Sequence, residues 1–170
     1  MRAFQGRFGA VGALPKRLAK KLLNVLIQNS ATMKPGDQLT LSYSFSVEPE
    51  IVFDAWTKPG VMKLWLFKSP DNEILSIKTD LKVGGKFSIL ELNENEKIDH
   101  FGEYLEIEKP VKLVFTLEVP WHFPGISEVS VDIKDTETGC EMIFSQSGID
   151  TNITEASWKK MFKNLRAVIE

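Results

Sequence analysis

The sequence predicts an α+β fold in which helices pack against an antiparallel sheet, and three features of the 170-residue chain support this. Apolar and polar residues alternate in several segments, which is typical of strands with one buried face. Short stretches containing Gly, Pro, Asn or Asp separate these segments and favour hairpins between consecutive strands. Helical spacing appears after the first strand and again at the C-terminus, so the layout is helices on an antiparallel sheet.

The first strand covers residues 39–47, where apolar side chains alternate with Thr and Ser. A helix is predicted to begin at Glu48-Pro49-Glu50, because Pro is tolerated in a first turn and acidic residues favour the positive N-terminal end. Pro59-Gly60 ends this helix, and a second short one follows over residues 61–66. The sequence thus predicts two short helices after strand one.

About six further strands follow. Apolar positions predict them around residues 75–77, 87–90, 101–107, 113–119, 129–134 and 140–146. The acidic, Asn-rich stretch 93–99 is predicted to be a hairpin loop, and residues 136–139 a tight turn. Val83-Gly84-Gly85 lacks the residues of a phosphate-binding loop and is interpreted as a bend or bulge before the next strand.

The last element is a long helix that reaches the C-terminus. Asn152 and Glu155 have the residue types of an N-terminal capping box, with Asn in place of the usual Ser or Thr. Apolar residues then recur at helical spacing at Trp158, Met161, Phe162, Leu165, Val168 and Ile169.

Composition and charge divide the chain into two parts. Residues 1–36 carry seven basic side chains and no acidic ones, so the other 134 residues hold 14 basic and 23 acidic side chains, a net charge of −9. We therefore expect a basic leader, residues 1–36, and a single domain, residues 37–170. The acidic domain argues against a nucleic-acid partner, because such binding needs cationic side chains. No run of about 18 apolar residues predicts a membrane-spanning helix.

The leader has the pattern of a basic amphipathic helix. Leu14, Leu18, Leu22 and Val25 share one face of a helical wheel, and Lys and Arg lie largely on the other. Such a segment suits membrane contact if it is retained, or an organellar import signal. The alternatives are a flexible extension, or untranslated sequence if Met33 is the start. We expect a cytoplasmic protein, with organelle import as the alternative.

Few residues offer catalytic or metal-binding chemistry. His100 and His122 stand 22 positions apart with no Cys nearby, so a zinc site is not expected. Cys140 is the single cysteine and is interpreted as a packed strand thiol, with a His-activated nucleophile as the alternative. Glu91 with Glu103, or Glu103 with Glu106, could pair as acid and base, but solvated sheet charges explain them more simply. We predict no catalytic residue, metal or cofactor.

The order of several motifs resembles a known family. The segments are Phe45, Pro49-Glu50, the stretch 52–59 (VFDAWTKP), Trp65, Asp80 before 83–87 (VGGKF), 102–107 (GEYLEI) and 113–116 (LVFT). They resemble the C-terminal domain of activators of the heat-shock protein 90 ATPase, within the SRPBCC or START-like superfamily. The resemblance runs from about Leu39 to Glu170. The turn at Gly139-Cys140 departs from the Gly-Thr of such proteins, and the loop at 93–97 lacks a Gly often found there.

The resemblance implies a helix-grip fold, in which a curved antiparallel sheet of six or seven strands surrounds the C-terminal helix and often encloses an apolar cavity. Aromatic side chains can line such a cavity or simply fill the core. The candidates for the cavity are Trp65, Phe87, Tyr104, Phe115, Trp121, His122, Phe123, Phe144 and Phe162. We expect most of the strand aromatics to fill the core. The predicted loop 120–124 (PWHFP) is the exception, because two aromatic rings and an imidazole are unusual in an exposed, Pro-flanked loop.

The superfamily includes carriers, enzymes and interaction modules, so the resemblance leaves three functions open. The first is a non-catalytic domain that binds a small apolar ligand or lipid. The second is a module that acts on a chaperone of the heat-shock protein 90 type, with a role in the stress response. The third, least favoured, is an enzyme, because no nucleophile, base and orienting group occur at credible spacing.

Overall fold

A computed structural model describes residues 38–170, and the predicted leader lies outside the described residues. The strands are β1 (Gln38–Phe45), β2 (Asn72–Thr79), β3 (Lys86–Asn93), β4 (Glu96–Glu108), β5 (Lys112–Val119), β6 (Phe123–Thr136) and β7 (Gly139–Ser147). The helices are α1 (Pro49–Thr57), α2 (Pro59–Trp65) and α3 (Thr151–Ile169). This confirms the predicted order of a strand, two short helices, six strands and a long helix.

All seven strands form one curved antiparallel sheet in the order β1-β7-β6-β5-β4-β3-β2. Consecutive strands from β2 to β7 pair as hairpins, and β1 closes the order by pairing with β7. The long β4–β5–β6 segment is bent by register shifts, one of which leaves Pro124 and Gly125 unpaired opposite Glu118–Val119. Proline suits this bulge because it has no N–H to donate to the ladder.

Two predicted loops are shorter in the structure. The hairpin between β3 and β4 turns on Glu94 and Asn95 alone, both with positive φ of 48° and 71°, and Asn93 already pairs with Glu96. Two consecutive left-handed residues match the right-handed twist of the strands, so no longer loop is needed. The turn between β5 and β6 likewise contains only Pro120, Trp121 and His122.

The predicted capping box of the last helix is wrong. Asp150 is the N-cap residue of α3, and its side chain accepts a hydrogen bond of 3.0 Å from the backbone N–H of Asn152. The helix therefore begins at Thr151, and Asn152 supplies a backbone donor instead of a side-chain cap. A carboxylate at this position also interacts favourably with the helix dipole.

The core lies between the concave face of the sheet and the three helices. α3 contributes the buried residues Trp158, Met161, Phe162 and Leu165, while Val168 near its end is exposed. In α1 and α2 the apolar residues Ile51 and Leu64 are also exposed to solvent. Helical spacing of apolar residues predicts which side of a helix is buried, but not how wide the buried side is. At the far end of α3, the Glu170 carboxylate accepts a 2.7 Å hydrogen bond from the N–H of Ser46 and ties the helix to the end of β1.

Candidate functional site

The site lies where the aromatic core is incompletely filled, between the concave sheet and the helices. Its lining residues come from all three helices, the segment after α2 and strands β3, β4 and β5: Trp56, Met62, Leu66, Phe67, Phe87, Ile89, Tyr104, Phe115, Leu117 and Trp158. We call this space the sheet–helix cavity. Part of this space is open to solvent, and about one water molecule fits between the side chains.

Strand alternation determines which sheet residues face the cavity. Phe87 and Ile89 on β3, and Phe115 and Leu117 on β5, point to the concave face at every second position. Between these strands, β4 presents Gly102, where a Cβ atom would overlap the carbonyl of Thr116 and press on the ring of Phe87. The absence of a side chain at Gly102 therefore lets the aromatic ring of Phe87 lie across β4.

A buried polar cluster stands beside the cavity, formed by Asn72, Glu91 and His100. The Glu91 carboxylate contacts His100 Nε2 at 2.8 Å and accepts a 2.7 Å hydrogen bond from the side-chain amide of Asn72. Glu91 is 5% exposed and His100 is 3% exposed. The interpretation of Glu91 as a solvated sheet charge is therefore wrong, because its position puts it on the concave face with Phe87 and Ile89.

The charge state of this cluster follows from its hydrogen bonds. Burial raises the pKa of Glu91, but the hydrogen bonds from His100 and Asn72 and the charge of His100 outweigh that effect, and the pKa lies below its ordinary value of 4.5. The carboxylate is ionised at neutral pH and can only accept hydrogen bonds. His100 Nε2 therefore carries the proton in the bond to Glu91.

Phe67 joins the polar cluster to the cavity. Its ring lines the cavity and stacks on the imidazole of His100, with ring centroids 3.8 Å apart and an interplanar angle of 17°. Its φ of 56° is in the left-handed region, which is uncommon for a bulky residue. The carbonyl of Phe67 accepts a 2.6 Å hydrogen bond from Asn72, so one asparagine holds both Phe67 and Glu91.

The other polar atoms around the cavity have partners. The hydroxyl groups of Tyr104 and Thr79 lie 2.9 Å apart, and burial raises the pKa of Tyr104 above its ordinary value. The indole N–H of Trp158 donates to Gln146 at 2.6 Å, and Gln146 donates in turn to the hydroxyl of Ser127. Within residues 38–170, the one buried side-chain N or O atom without a hydrogen-bond partner is His100 Nδ1.

The nine residues predicted for the cavity occupy three different places. Phe87, Tyr104 and Phe115 line it. Trp65, Phe144 and Phe162 lie in the filled core beside it. Their rings pack around the lining residues Trp56 and Trp158, with centroid distances that include 4.8 Å for Trp56–Trp65 and 4.3 Å for Phe144–Trp158.

The remaining three predicted residues, Trp121, His122 and Phe123, belong to the β5–β6 turn and the start of β6 and are not among the lining residues. Trp121 and Phe123 are half-buried and His122 is exposed. The charge of His122 nevertheless contributes to lowering the pKa of Glu91. The turn therefore lies close enough to the polar cluster to act on it electrostatically.

Cys140 lies at the start of β7, one strand in from the edge of the sheet, and is not among the residues that line the cavity. It is fully buried on β7, opposite Phe45 on one side and Asp135 on the other. Burial, with smaller contributions from the charges of Asp135, Glu48 and Glu170, raises the pKa of its thiol. Such a thiol is poorly suited to nucleophilic attack. In the described part of the chain, no cluster of three or more His, Cys, Asp or Glu side chains could hold a metal ion.

The sequence pattern did not indicate Phe67, the Glu91–His100 pair or the lining role of Trp56 and Trp158. For the pair a signal exists, since Glu91 continues the inward alternation of Phe87 and Ile89, just as His100 continues that of β4. For Phe67 none exists, because its position depends on a loop held by contacts with Asn72 and with α3.

No helix among residues 38–170 has the length and apolar character needed to cross a membrane.

Comparison with known proteins adds a family and a set of related folds. The sequence pattern of the family described as Activator of Hsp90 ATPase homolog 1-like protein matches residues 46–170. A search of curated protein sequences finds no match. Several bacterial proteins of known structure share the fold.

One of these structures, a protein from Chromobacterium violaceum, has a TM-score of 0.68 and 21% identity, and the match covers 79% of this chain and 99% of that one. The AHSA1-like protein from Aeromonas hydrophila has a TM-score of 0.68 and 20% identity, with 78% and 92% covered. A protein from Nitrosomonas europaea has a TM-score of 0.67 and 19% identity, with 80% and 97% covered. At these identities the likeness establishes the fold alone.

Proposed function

Because the chain belongs to the family of Activator of Hsp90 ATPase homolog 1-like proteins, we propose that its domain uses the helix-grip fold to bind a small apolar molecule in the sheet–helix cavity. The binding is non-catalytic. The observation that carries the proposal is the cavity itself, which is lined mainly by apolar side chains from three helices and three strands.

Packing energetics support this use of the cavity. Protein interiors are normally filled to the density of organic crystals, and unfilled apolar space costs stability because its walls lose dispersion contacts. Here the neighbouring rings of Trp65, Phe144 and Phe162 are tightly packed, yet the space next to them is incompletely filled. A ligand would restore those contacts.

Entry of a ligand needs a side chain to move, because the space between the lining side chains accepts about one water molecule. Phe67 is the lining residue best placed to do so. Its side chain is half-buried, it follows α2 in a loop, and its backbone is in the left-handed region. Movement of Phe67 would open the cavity without disturbing the sheet.

The test is binding of naphthalene to the full-length protein, followed by ligand-observed NMR. We expect saturable binding that Leu117→Phe weakens at least about tenfold, because the larger ring occupies the cavity, at a cost to stability of about 1–3 kcal/mol. The matched control is Leu105→Phe on the same sheet, where the leucine is exposed and the change should leave binding unaltered. Equal binding by both variants, or no saturable binding by the unaltered protein with naphthalene up to its solubility limit, would contradict the proposal.

A second candidate function, action on a chaperone of the heat-shock protein 90 type, is supported by the description of the matching family. It would place the domain among interaction modules of the stress response. The measurement is the ATPase rate of such a chaperone with and without an excess of this protein. An unchanged rate, together with no complex in analytical ultracentrifugation, would remove this candidate.

A further inference from the structure

Resting on the proposed function, we propose that the ligand of the sheet–helix cavity carries a hydroxyl group, a phenol or an alcohol on an apolar body, and that His100 Nδ1 is the atom that recognises this group. Such a ligand would have one polar group on an otherwise apolar molecule.

His100 carries a buried nitrogen atom that has no hydrogen-bond partner. His100 is 3% exposed, and its Nδ1 is the buried side-chain polar atom of residues 38–170 that lacks a hydrogen-bond partner. Such atoms are rare in folded proteins because each loses its hydration without compensation. An unpartnered atom beside a cavity is a position where a ligand group gains more than it would in water.

His100 lies next to the cavity, although it is not one of the lining residues. On β4 it lies directly opposite Ile89 of β3, and its ring stacks on Phe67. Ile89 and Phe67 both line the cavity. The Phe67 ring covers a face of the imidazole, whereas hydrogen bonds to a ring nitrogen form at the edge, in the plane of the ring. Phe67 therefore does not satisfy Nδ1, and the movement of Phe67 that admits a ligand would bring that ligand next to His100.

The bond between His100 and Glu91 determines which ligand groups Nδ1 can bind. Glu91 holds the Nε2 proton, so Nδ1 is an acceptor when the ring is neutral and an N–H donor when it is charged. A hydroxyl group serves both states, because it can donate or accept. A ligand carboxylate suits the charged ring alone and would also lie near the buried carboxylate of Glu91, which repels it. The site therefore favours a neutral hydroxyl over an acid.

The test compares three molecules with the same apolar body: naphthalene, 1-naphthol and 1-naphthoate. Using the full-length protein and calorimetry or ligand-observed NMR, we expect 1-naphthol to bind about tenfold more tightly than naphthalene, the effect of one added hydrogen bond. We expect 1-naphthoate to bind more weakly than 1-naphthol. Equal binding of 1-naphthol and naphthalene, or tighter binding of the acid, overturns the inference but leaves the cavity as an apolar site. Failure of all three to bind overturns both.

A variant and a spectroscopic measurement locate the contact. The double change Glu91→Leu with His100→Leu removes the buried pair together, so that neither charge is left alone. We expect it to abolish the preference for 1-naphthol while naphthalene still binds. In the unaltered, ¹⁵N-labelled protein, the Nδ1 resonance of His100 should shift with 1-naphthol and not with naphthalene. His122, the second of two histidines, is the internal reference. An unmoved Nδ1 resonance under saturating 1-naphthol rules out the proposed contact, whether or not the variant folds.

Discussion

At the level of single residues, Glu91 is a charged side chain that the fold buries. It is the one acidic side chain among the core residues of the described chain, and its contacts with His100 and Asn72 are what make its burial tolerable. A buried carboxylate without such partners would lose the favourable energy of hydration and gain little in return. The cluster therefore depends on all three residues being present.

Glu91 leads to a prediction about pH. Its pKa lies below the ordinary value of 4.5 in the folded protein, because hydrogen bonds from His100 and Asn72 and the charges of His100 and His122 favour the ionised form. The unfolded chain then binds the proton more readily than the folded protein does. The stability that the carboxylate contributes is complete above the ordinary pKa and is lost as the pH falls through the lowered value.

The measurement is the free energy of unfolding by urea between neutral pH and pH ~3, for the unaltered protein and for Glu91→Gln. We expect Glu91→Gln to cost about 1–3 kcal/mol at neutral pH and to show a smaller loss on acidification. Glu73→Gln, which changes an exposed glutamate on β2, is the control and should follow the unaltered protein. Parallel pH curves for all three proteins would show that Glu91 does not contribute in this way.

At the level of elements, the start of α3 matters because this helix holds Trp158 and Phe162 against the sheet. A helix has backbone N–H groups in its first turn without partners in the helix, and Asp150 satisfies one of them. The sequence pattern suggested Asn152 for this task, which is two residues too late. Side-chain types at 150 and 152 are both compatible with capping, so only the backbone conformation at residue 150 distinguishes them.

These two positions give a direct comparison. We expect Asp150→Ala to lower the free energy of unfolding by about 1 kcal/mol, because it removes the cap and a favourable charge at the helix N-terminus. Asn152→Ala, at an exposed position whose backbone N–H is the bonded group, should change it by less than about 0.5 kcal/mol. Thermal or urea unfolding of the two variants decides the matter, and the reverse order of effects would restore Asn152 as the cap.

At the level of the whole molecule, the cavity lies against the part of the sheet where strand pairing is irregular. Register shifts in the β2–β3, β4–β5 and β5–β6 pairs bend the strands that carry the lining residues. On the β1–β7–β6 side the pairs are regular and the core is filled by Phe144, Met142 and Val131. The unfilled space and the polar cluster therefore lie on the same, irregular half of the sheet.

The sequence by itself determined the strands, the helices and their order, because alternation, helical spacing and chain-breaking residues are local properties. It also indicated the family, through motifs along residues 39–170, and three of the lining residues, Phe87, Tyr104 and Phe115. The loops predicted at 93–99 and 120–124 are longer than those in the structure, because left-handed residues and a bulge shorten these connections.

Only the tertiary structure decided which side chains meet on the concave face. Phe67 stacks on His100, which lies 33 residues later in the chain. Trp158 on α3 donates a hydrogen bond to Gln146 on β7. Such contacts depend on the register and curvature of the sheet and on the position of α3 against it. If β3 slipped by one residue, its side chains would change face, so Glu91 would be solvated and His100 would lose its partner.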